Sequence, residues 1–500
     1  MLIKNNPDEI QNFFVDASNL SGGNAGNVFF PENVGEISEI LRESNANKIP
    51  VTVSGAKTGT VGGAIPFGGN VMSLDKLNRI KEIAKIDEGG YAIVETAVTL
   101  TDFQKATDAK NLFYAPDPTE WSCQMGGTVA TNASGARSFK YGATRNYVQK
   151  LEIVLPTGEI VSVRRGETFA KNGKLNVPVS DCGEVLIVNL PSYKMPNTRK
   201  HAAGYFNAPE MDLIDLFIGA EGTLGVITEI ELKLLPKAES ILSGVVFFND
   251  EKDLLNFVTE IRSQSFESRA EIQNPKSEIQ TRIDSRVLEY IDRNALDFMR
   301  EKFAEIPENM AGAILFEQET TEDSEETLLN QWFEILETHN ADIEKSWFAT
   351  NDADLRKMRE FRHTTPVAVN EFIVRHGQKK VSTDIAVSDA EFPKMLKFYQ
   401  QTLKGSGLKA ITFGHIGDNH LHVNILPRND LEAIKARHVY GQFIARACIV
   451  GGTVSAEHGI GKLKKPYLNA MFGERYLNEM LEVKRAFDPN FILNRGVMLS

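Results

Sequence analysis

Residues 414–425 read GHIGDNHLHVNI. Three of the chain's nine histidines, His415, His420 and His422, fall within eight residues there, among glycines, an aspartate and aliphatic side chains. An unpaired imidazole in an apolar stretch is costly, so the cluster calls for partners. From His420 the sequence alternates. In a strand His420, His422 and Asn424 would share one face, and Leu421, Val423 and Ile425 would face a core. His415 lies seven residues before His422, an offset that one continuous strand would place on opposite faces. A turn at Gly417-Asp418 resolves this, with His415 ending one strand and His422 lying in its neighbour. A second stretch, GGTVSAEHGIGKLKKPYL (451–468), carries Glu457 and His458 in a glycine frame just past a predicted helix. Two histidines and a carboxylate that converge form a ligand set for zinc or a similar divalent metal.

Three glycine-rich stretches suggest a second chemistry. SGAKTGTVGGAIP (54–66) follows a predicted strand, and its N–H groups could form a nest for a pyrophosphate. It matches neither the dinucleotide fingerprint nor the P-loop. APDPTEWSCQMGGTVATNASGARSFKYGATRNYV (115–148) is a long irregular segment rich in small residues, a kind of backbone that is usually functional. GAEGTLGVIT (219–228) leads into a strand.

The elements that must position these groups follow from periodicity. Helices are predicted at 34–47 and 99–110, with strands at 50–54, 70–74 and 91–98, so the first hundred residues suggest parallel α/β pairing. Segments 151–156 and 159–165 form a hairpin across Thr157-Gly158, and 225–236 is a strand ending at Pro236, with a domain boundary near 237. Beyond it come strand 243–250, helix 252–264, a charged helical stretch at 285–304, strand 311–319 and helix 327–339. Helix 389–404, strand 408–414 and helices 431–450 and 473–487 complete the chain. This strand-helix-strand repetition suggests a ferredoxin-like α+β domain.

Composition limits the function classes. At 500 residues and 42% apolar, the chain can build two or three packed domains. A net charge of −12 argues against a nucleic-acid partner. Cys123, Cys182 and Cys448 are far apart and form no Cys-x-x-Cys, so neither a disulfide framework nor a thiolate zinc site is expected. The N-terminus, MLIKNNPDEIQNFF, has no signal-peptide core, and no apolar run approaches the ~18 residues of a membrane span. A cytoplasmic protein is expected, with peripheral membrane contact and a homodimer left open.

In their order, the glycine-rich stretches resemble the FAD-binding domain of the vanillyl-alcohol oxidase and p-cresol methylhydroxylase superfamily, over about 28–236. By position the resemblance implies that Gly55, Ala56, Lys57, Thr58, Gly59 and Thr60 wrap the FAD pyrophosphate. Pro116, Asp117, Gly126, Gly127, Thr131, Ser134, Gly135 and Tyr141, with Glu221, Gly222, Gly225 and Ile227, would line the flavin and adenine sites. The family's arginine-glycine-glycine opening is here Ser54-Gly55-Ala56, and Lys57 stands where a small residue is common. The first histidine of the chain is His201, so neither of the first two loops offers an imidazole, and FAD is expected to be non-covalent.

The histidine motifs resemble the D-2-hydroxyacid dehydrogenase branch of that superfamily, which includes D-lactate dehydrogenase with a non-pyridine acceptor, D-2-hydroxyglutarate dehydrogenase and the glycolate oxidase FAD subunit. The resemblance implies a divalent metal, zinc or else manganese or iron, held by His415, His422 and Glu457. It makes His458 the base, Asn424 a substrate contact and Arg362 the carboxylate clamp, with Arg359 the alternate. AFDPNFILNRGVML (486–499) resembles the closing motif and would return Asn494 to the flavin. Two features depart from the pattern. His420 stands where relatives have asparagine, and Ser382 precedes Asp384 where relatives that take a second carboxylate carry lysine, with Lys380 two further back.

The implied architecture is α+β: a two-subdomain FAD-binding domain of p-cresol methylhydroxylase type (28–236), a ferredoxin-like substrate cap (237–485), and a returning C-terminal segment (486–500). The implied reaction is FAD-dependent oxidation of a small D-2-hydroxy acid, D-lactate first, by hydride transfer to flavin N5. A quinone, cytochrome or electron-transfer protein would be the acceptor. The alternatives are a glycolate oxidase FAD subunit, a D-2-hydroxyglutarate dehydrogenase, a non-catalytic flavin-binding subunit and, from another class, a flavin-free metal-dependent hydrolase.

Overall fold

In a computed structural model that describes residues 1–179, 183–271 and 281–499, Asn33 starts the first long helix by accepting the Glu36 N–H at 3.0 Å. Cys182 lies outside the described residues. The helix, Val34–Asn47, buries Ile37, Ile40 and Leu41 against Val51 and Met72. Those two belong to a four-stranded sheet ordered Leu2–Lys4, Asn27–Phe30, Asn70–Ser73, Val51–Ser54. Parallel pairing is confined to its last three strands. Gly89–Glu95 does not join them. It runs antiparallel to Val226–Pro236 in a second sheet.

In that six-stranded sheet Val226–Pro236 is central, flanked by Gly89–Glu95 and by the hairpin Val148–Val154 and Ile160–Arg164. Its alternation is explained by burial: Ile230, Leu232 and Leu234 are fully inside. The segment before it ends at the turn Glu221–Gly225, so the sheet holds that turn in place.

The third sheet begins with Ser240–Phe248, Ser285–Asp292, Gly312–Thr320 and Trp347–Phe348. Numbered in chain order, these lie fourth, first, third, second, all antiparallel, with helices Glu251–Glu271 and Glu325–Thr338 after the first and third. That is the ferredoxin-like arrangement. Ala410–Gly414, His420–Ile425 and Val381–Ser382 extend the sheet.

Two expectations need correction. The charged stretch 285–304 is not one helix: Ser285–Asp292 is a strand and only Arg293–Met299 is helical. Arg286 and Glu289 are each 5% exposed. Their charges are met by Glu317, and by His415 and Arg362, rather than by water. The last helix begins earlier than predicted, at Lys465, and breaks at Gly473 (φ 76°) before continuing to Phe487. After it the chain returns to the first sheet: the Val51 N–H donates to Ile492 O, and the Asn494 N–H donates to Val51 O, both at 2.8 Å.

Candidate active site

The loop after Val51–Ser54, the helix Met125–Ala130 and the turn at 221–225 enclose a cavity of about 360 Å³. Gly55, Ala56, Lys57, Thr58, Gly59 and Thr60 all line it. So do Gly126, Gly127, Thr131, Ser134 and Gly135, the third-stretch residues Glu221, Gly222, Gly225 and Ile227, and Asn494. The glycines serve two purposes. A Cβ on Gly126 would lie 1.7 Å from Thr96 Oγ1, and one on Gly135 would lie 1.9 Å from Asp117 O, so the backbone must pass there bare. On Gly59, Gly63 and Gly127 it would meet no protein atom and would project into space that a ligand could fill. Lys57 takes a left-handed φ of 60° and sends its ammonium away to Asn12 O at 3.0 Å, leaving only its backbone for the loop's task.

Pro116, Asp117 and Tyr141 are not brought to this cavity. Pro118, Thr119 and Glu120 line it instead. Asp117 is buried and accepts from Trp121 Nε1 at 3.1 Å, while the Tyr141 hydroxyl donates to Glu319. Cys123 also lines the cavity, where burial pushes its thiol up to about 12 and keeps it protonated. His201 is half-buried and does not line the cavity, with Nδ1 3.0 Å from Thr453 Oγ1. The bare glycine backbones and the inert thiol fit non-covalent FAD.

Glu457 and His458 stand at one end of the same cavity. There the histidine stretch arrives as expected: Ala410–Gly414 and His420–Ile425 pair antiparallel around a tight turn, with Phe413 opposite His422. Side-chain donors of His415, His420, His422 and Glu457 all lie within 4.8 Å of one another. His420, absent from the expected ligand set, is therefore part of the cluster. The ring orientations are systematic. His415 Nδ1 is 2.5 Å from Glu289 Oε1 while Nε2 is 3.4 Å from Glu457 Oε2. His422 Nδ1 is 3.3 Å from Thr383 O while Nε2 is 3.2 Å from Glu457 Oε1. His420 Nε2 is 3.2 Å from Asp384 Oδ1 while Nδ1 is 3.9 Å from Glu457 Oε2. Each ring turns one nitrogen inward and has an oxygen beside the other, the pattern of metal-ligating imidazoles.

Protonation states agree with this for two of the three rings, whereas on His415 the Glu289 carboxylate outweighs burial and raises the pKa. Burial holds His420 down at about 3 and lowers His422, so both rings are neutral with lone pairs to offer. Burial opposes the charge on Glu457, but Lys200, then His415 and His420, outweigh it and hold the carboxyl well below its ordinary range. Burial also works against charge on Glu289, yet His415 and Arg362 bring it to about 2. The donor set fits a divalent cation.

Asp384 organises the Glu457 segment. It accepts the backbone N–H groups of Ala456, Glu457 and His458, each at 3.1 Å, the Ser455 hydroxyl at 2.6 Å and the Lys464 ammonium at 2.6 Å. Its Oδ2 is also 3.4 Å from His458 Nδ1. Arg362 projects from the helix Asp352–Arg375 into a second, smaller cavity lined also by Glu289, His415 and His422. Thr119 lines both cavities. Asn424 lines neither. It is fully buried, donates to His422 O at 3.0 Å and leaves Oδ1 without a partner.

Two further residues hold the cluster. Lys200, with only 1% of its side chain exposed, donates to Gly135 O at 3.0 Å and to Glu457 Oε2 at 3.1 Å. Nothing in KMPNTRKHAAG (194–204) marks it, because its partners come from segments 65 and 257 residues away. Glu289 did carry a signal, a lone acid in the apolar run VLEYI, hidden by the helical reading of 285–304.

Two family descriptions match the chain: "FAD binding domain" over residues 25–164 and "FAD linked oxidases, C-terminal domain" over 258–498. A D-lactate dehydrogenase from Anaerostipes hadrus is 30% identical over 482 residues, covering 92% of this chain and 86% of its own. The glycolate oxidase subunit GlcD of Bacillus subtilis is 30% identical over 485 residues, covering 95% and 88%. A D-2-hydroxyglutarate dehydrogenase from Stutzerimonas stutzeri is 25% identical over 494 residues, covering 94% and 90%. Among solved structures, 4-ethylphenol oxidase from Gulosibacter chungangensis superposes with a TM-score of 0.66 at 16% identity, covering 99% of this chain and 94% of its own. An alkyldihydroxyacetonephosphate synthase gives 0.66 at 14%, covering 98% and 82%. With a glycine-lined cavity that Glu457 and His458 also line and relatives matched over nearly its whole length, the chain belongs to the FAD-linked oxidases and is an FAD-dependent oxidoreductase of the hydroxy-acid dehydrogenase type.

Proposed function

We propose that this protein oxidises a small D-2-hydroxy acid to the 2-oxo acid and passes the electrons to a quinone, a cytochrome or an electron-transfer protein. One observation carries the reading. Glu457 and His458 line the flavin cavity while Arg362, His415 and His422 line the cavity beside it, with Thr119 common to both. A substrate gripped in the smaller cavity would sit against the cluster and face the larger one. In this reading residues 28–236 hold the flavin, 237–485 form the cap and 486–500 close the site.

FAD, when bound, supplies the hydride acceptor. His415, His420, His422 and Glu457 would hold zinc, manganese or iron, which would place positive charge beside the substrate hydroxyl. Arg362 offers its fork to the carboxylate and so fixes which face of the α-carbon is presented. His458 takes the hydroxyl proton at Nε2, because Asp384 holds the Nδ1 side. Asn424 steadies the strand through His422 O.

D-lactate is the reference substrate, since Ser382 replaces the lysine of relatives that take a second carboxylate. Glycolate is the second reading, supported by the 30% identity to the glycolate oxidase subunit. The flavin-free hydrolase reading gives way to the FAD-binding family match. Among the described residues no helix is long and apolar enough to cross a membrane, so contact with a membrane acceptor would be peripheral. A homodimer is compatible with this reading.

The test is anaerobic flavin bleaching by a panel of D- and L-2-hydroxy acids. D-lactate, or failing it glycolate, should bleach the flavin, and L-lactate should not. A yellow protein that no 2-hydroxy acid bleaches would sink the reading.

A further inference from the structure

A third chamber, of about 190 Å³, lies between the loop around Asp117 and the helix Asp352–Arg375. It shares Leu315, Arg362 and His363 with the small cavity beside the metal cluster, so the two adjoin. Arg137, Arg359 and Arg362 line it, together with Asp117 and Glu317. The acids do not satisfy these arginines. Glu317 is gripped by Arg286, through Nε at 2.8 Å and a terminal nitrogen at 2.7 Å. Asp117 lies between Arg137 at 3.6 Å and Arg362 at 3.7 Å, too far to hydrogen-bond to either, and accepts from Trp121 instead. Arg359 has neither an ion pair nor a hydrogen bond among the described residues. Arg286 is engaged by Glu317 and lies 4.0 Å from Glu319, and Arg362 donates to Glu289 at 3.4 Å, so the guanidiniums left without a hydrogen-bonded acid in the chamber are Arg137 and Arg359.

A partly open chamber with unsaturated guanidinium forks is a receptor for a planar or tetrahedral oxyanion. Nothing in the proposed chemistry uses it, because one arginine, Arg362, is enough to hold the carboxylate next to the reacting carbon. The chamber shares Arg362 with the small cavity, and none of its lining residues belongs to the His/Glu cluster. A chain of a few atoms running past Arg362 would bring its far end to Arg137 and Arg359.

We propose that this chamber is an acid-binding subsite for the far end of the substrate, so that the preferred substrates are D-2-hydroxy acids longer than lactate that end in a carboxylate or a phosphate. This rests on the oxidation reading above and revises its reference substrate. Ser382 removes one means of recognising a second acid, and Arg137 and Arg359 supply a different one.

The experiment uses the flavin-loaded protein and measures anaerobic flavin reduction by D-lactate, D-malate, D-2-hydroxyglutarate and D-glycerate 3-phosphate. The acid-terminated compounds should exceed D-lactate in kcat/KM by about tenfold or more, chiefly through KM. Whether the carboxylates or the phosphate lead identifies the terminal group. Arg359→Gln, at an exposed and unpaired position that cannot disturb folding, should shrink that preference by about fivefold. Arg137→Gln should shrink it further. Parity with D-lactate, or a preference unchanged in Arg359→Gln, overturns the subsite.

Binding can be read without turnover by titrating succinate against intrinsic fluorescence, because Trp121 lines the chamber and the chain has only three tryptophans. If no hydroxy acid bleaches the flavin but succinate binding depends on Arg359, the oxidation reading fails and the subsite stands. If D-lactate bleaches it and succinate does not bind, the reverse holds.

Discussion

Glu289 Oε1 sits 2.5 Å from His415 Nδ1, and this contact turns His415 Nε2 toward Glu457. Glu289 thereby fixes both the tautomer and the ring angle of an expected metal ligand. Glu289→Gln should keep the flavin but weaken divalent-metal affinity by about 10–100-fold. Elemental analysis after dialysis against a graded chelator series measures this. Metal retention equal to the parent's would show that Glu289 does not orient the ligand.

Asp384 links the Glu457 segment to His458, the proposed base. Burial opposes its charge, yet His458 and Lys464 hold its carboxyl well below the ordinary range. His458→Ala should leave the protein yellow and reduce substrate-driven flavin reduction by about 10²–10⁴-fold. Asp384→Asn should also slow reduction and in addition destabilise the fold by about 3 kcal/mol, because Lys464 loses its buried partner. Fast reduction by the His458→Ala protein would remove the base assignment.

Asp292 predicts a pH-dependent stability in the cap. Burial pushes its carboxyl up to about 7, against about 3.9 in an unfolded chain. The folded state therefore holds the proton more tightly. The resulting stabilisation is complete below about pH 4 and is lost as pH rises through about 7. Asp292→Asn keeps a helix-capping side chain and removes the titration. Urea unfolding at pH 5 and pH 8 should show the parent losing about 2–3 kcal/mol more than the variant between the two. Equal losses would show that Asp292 does not titrate in this range.

Asn494 joins three segments. Its Oδ1 accepts the Val53 N–H at 2.8 Å, and its Nδ2 donates to Glu221 O and Gly222 O at 3.1 and 3.0 Å. An amide is needed because only it can accept on one side and donate on the other. Asn494→Ala should cost about 3 kcal/mol of stability and release flavin on gel filtration. A variant that elutes fully yellow with an unchanged melting temperature would contradict this.

The parts of the site built from local patterns were legible in the sequence. The glycine stretches declared themselves by composition, and the placement of His415 just past the end of one strand and of His422 in its neighbour followed from period-two alternation broken by one turn. Lys200, Glu289 and the depth of His420 were not legible in this way. Each depends on burial beside a charge from another part of the chain, and polar residues are ordinarily read as surface. The same effect disguised Ser285–Asp292, whose Arg286 and Glu289 look like a solvated helix face until their partners are known. The antiparallel placement of Gly89–Glu95 was hidden for a related reason, since its partner Val226–Pro236 lies far along the chain.

The bond between Asn494 and Val53 spans 441 residues of chain. It therefore also sets an order of events in the cell. The chain must be synthesised through Asn494 before this bond to the Val53 strand can form, so closure of the flavin site waits for that residue to emerge. For the same reason, a cut just before Asn494 would release the flavin while leaving every glycine loop and the whole histidine cluster intact.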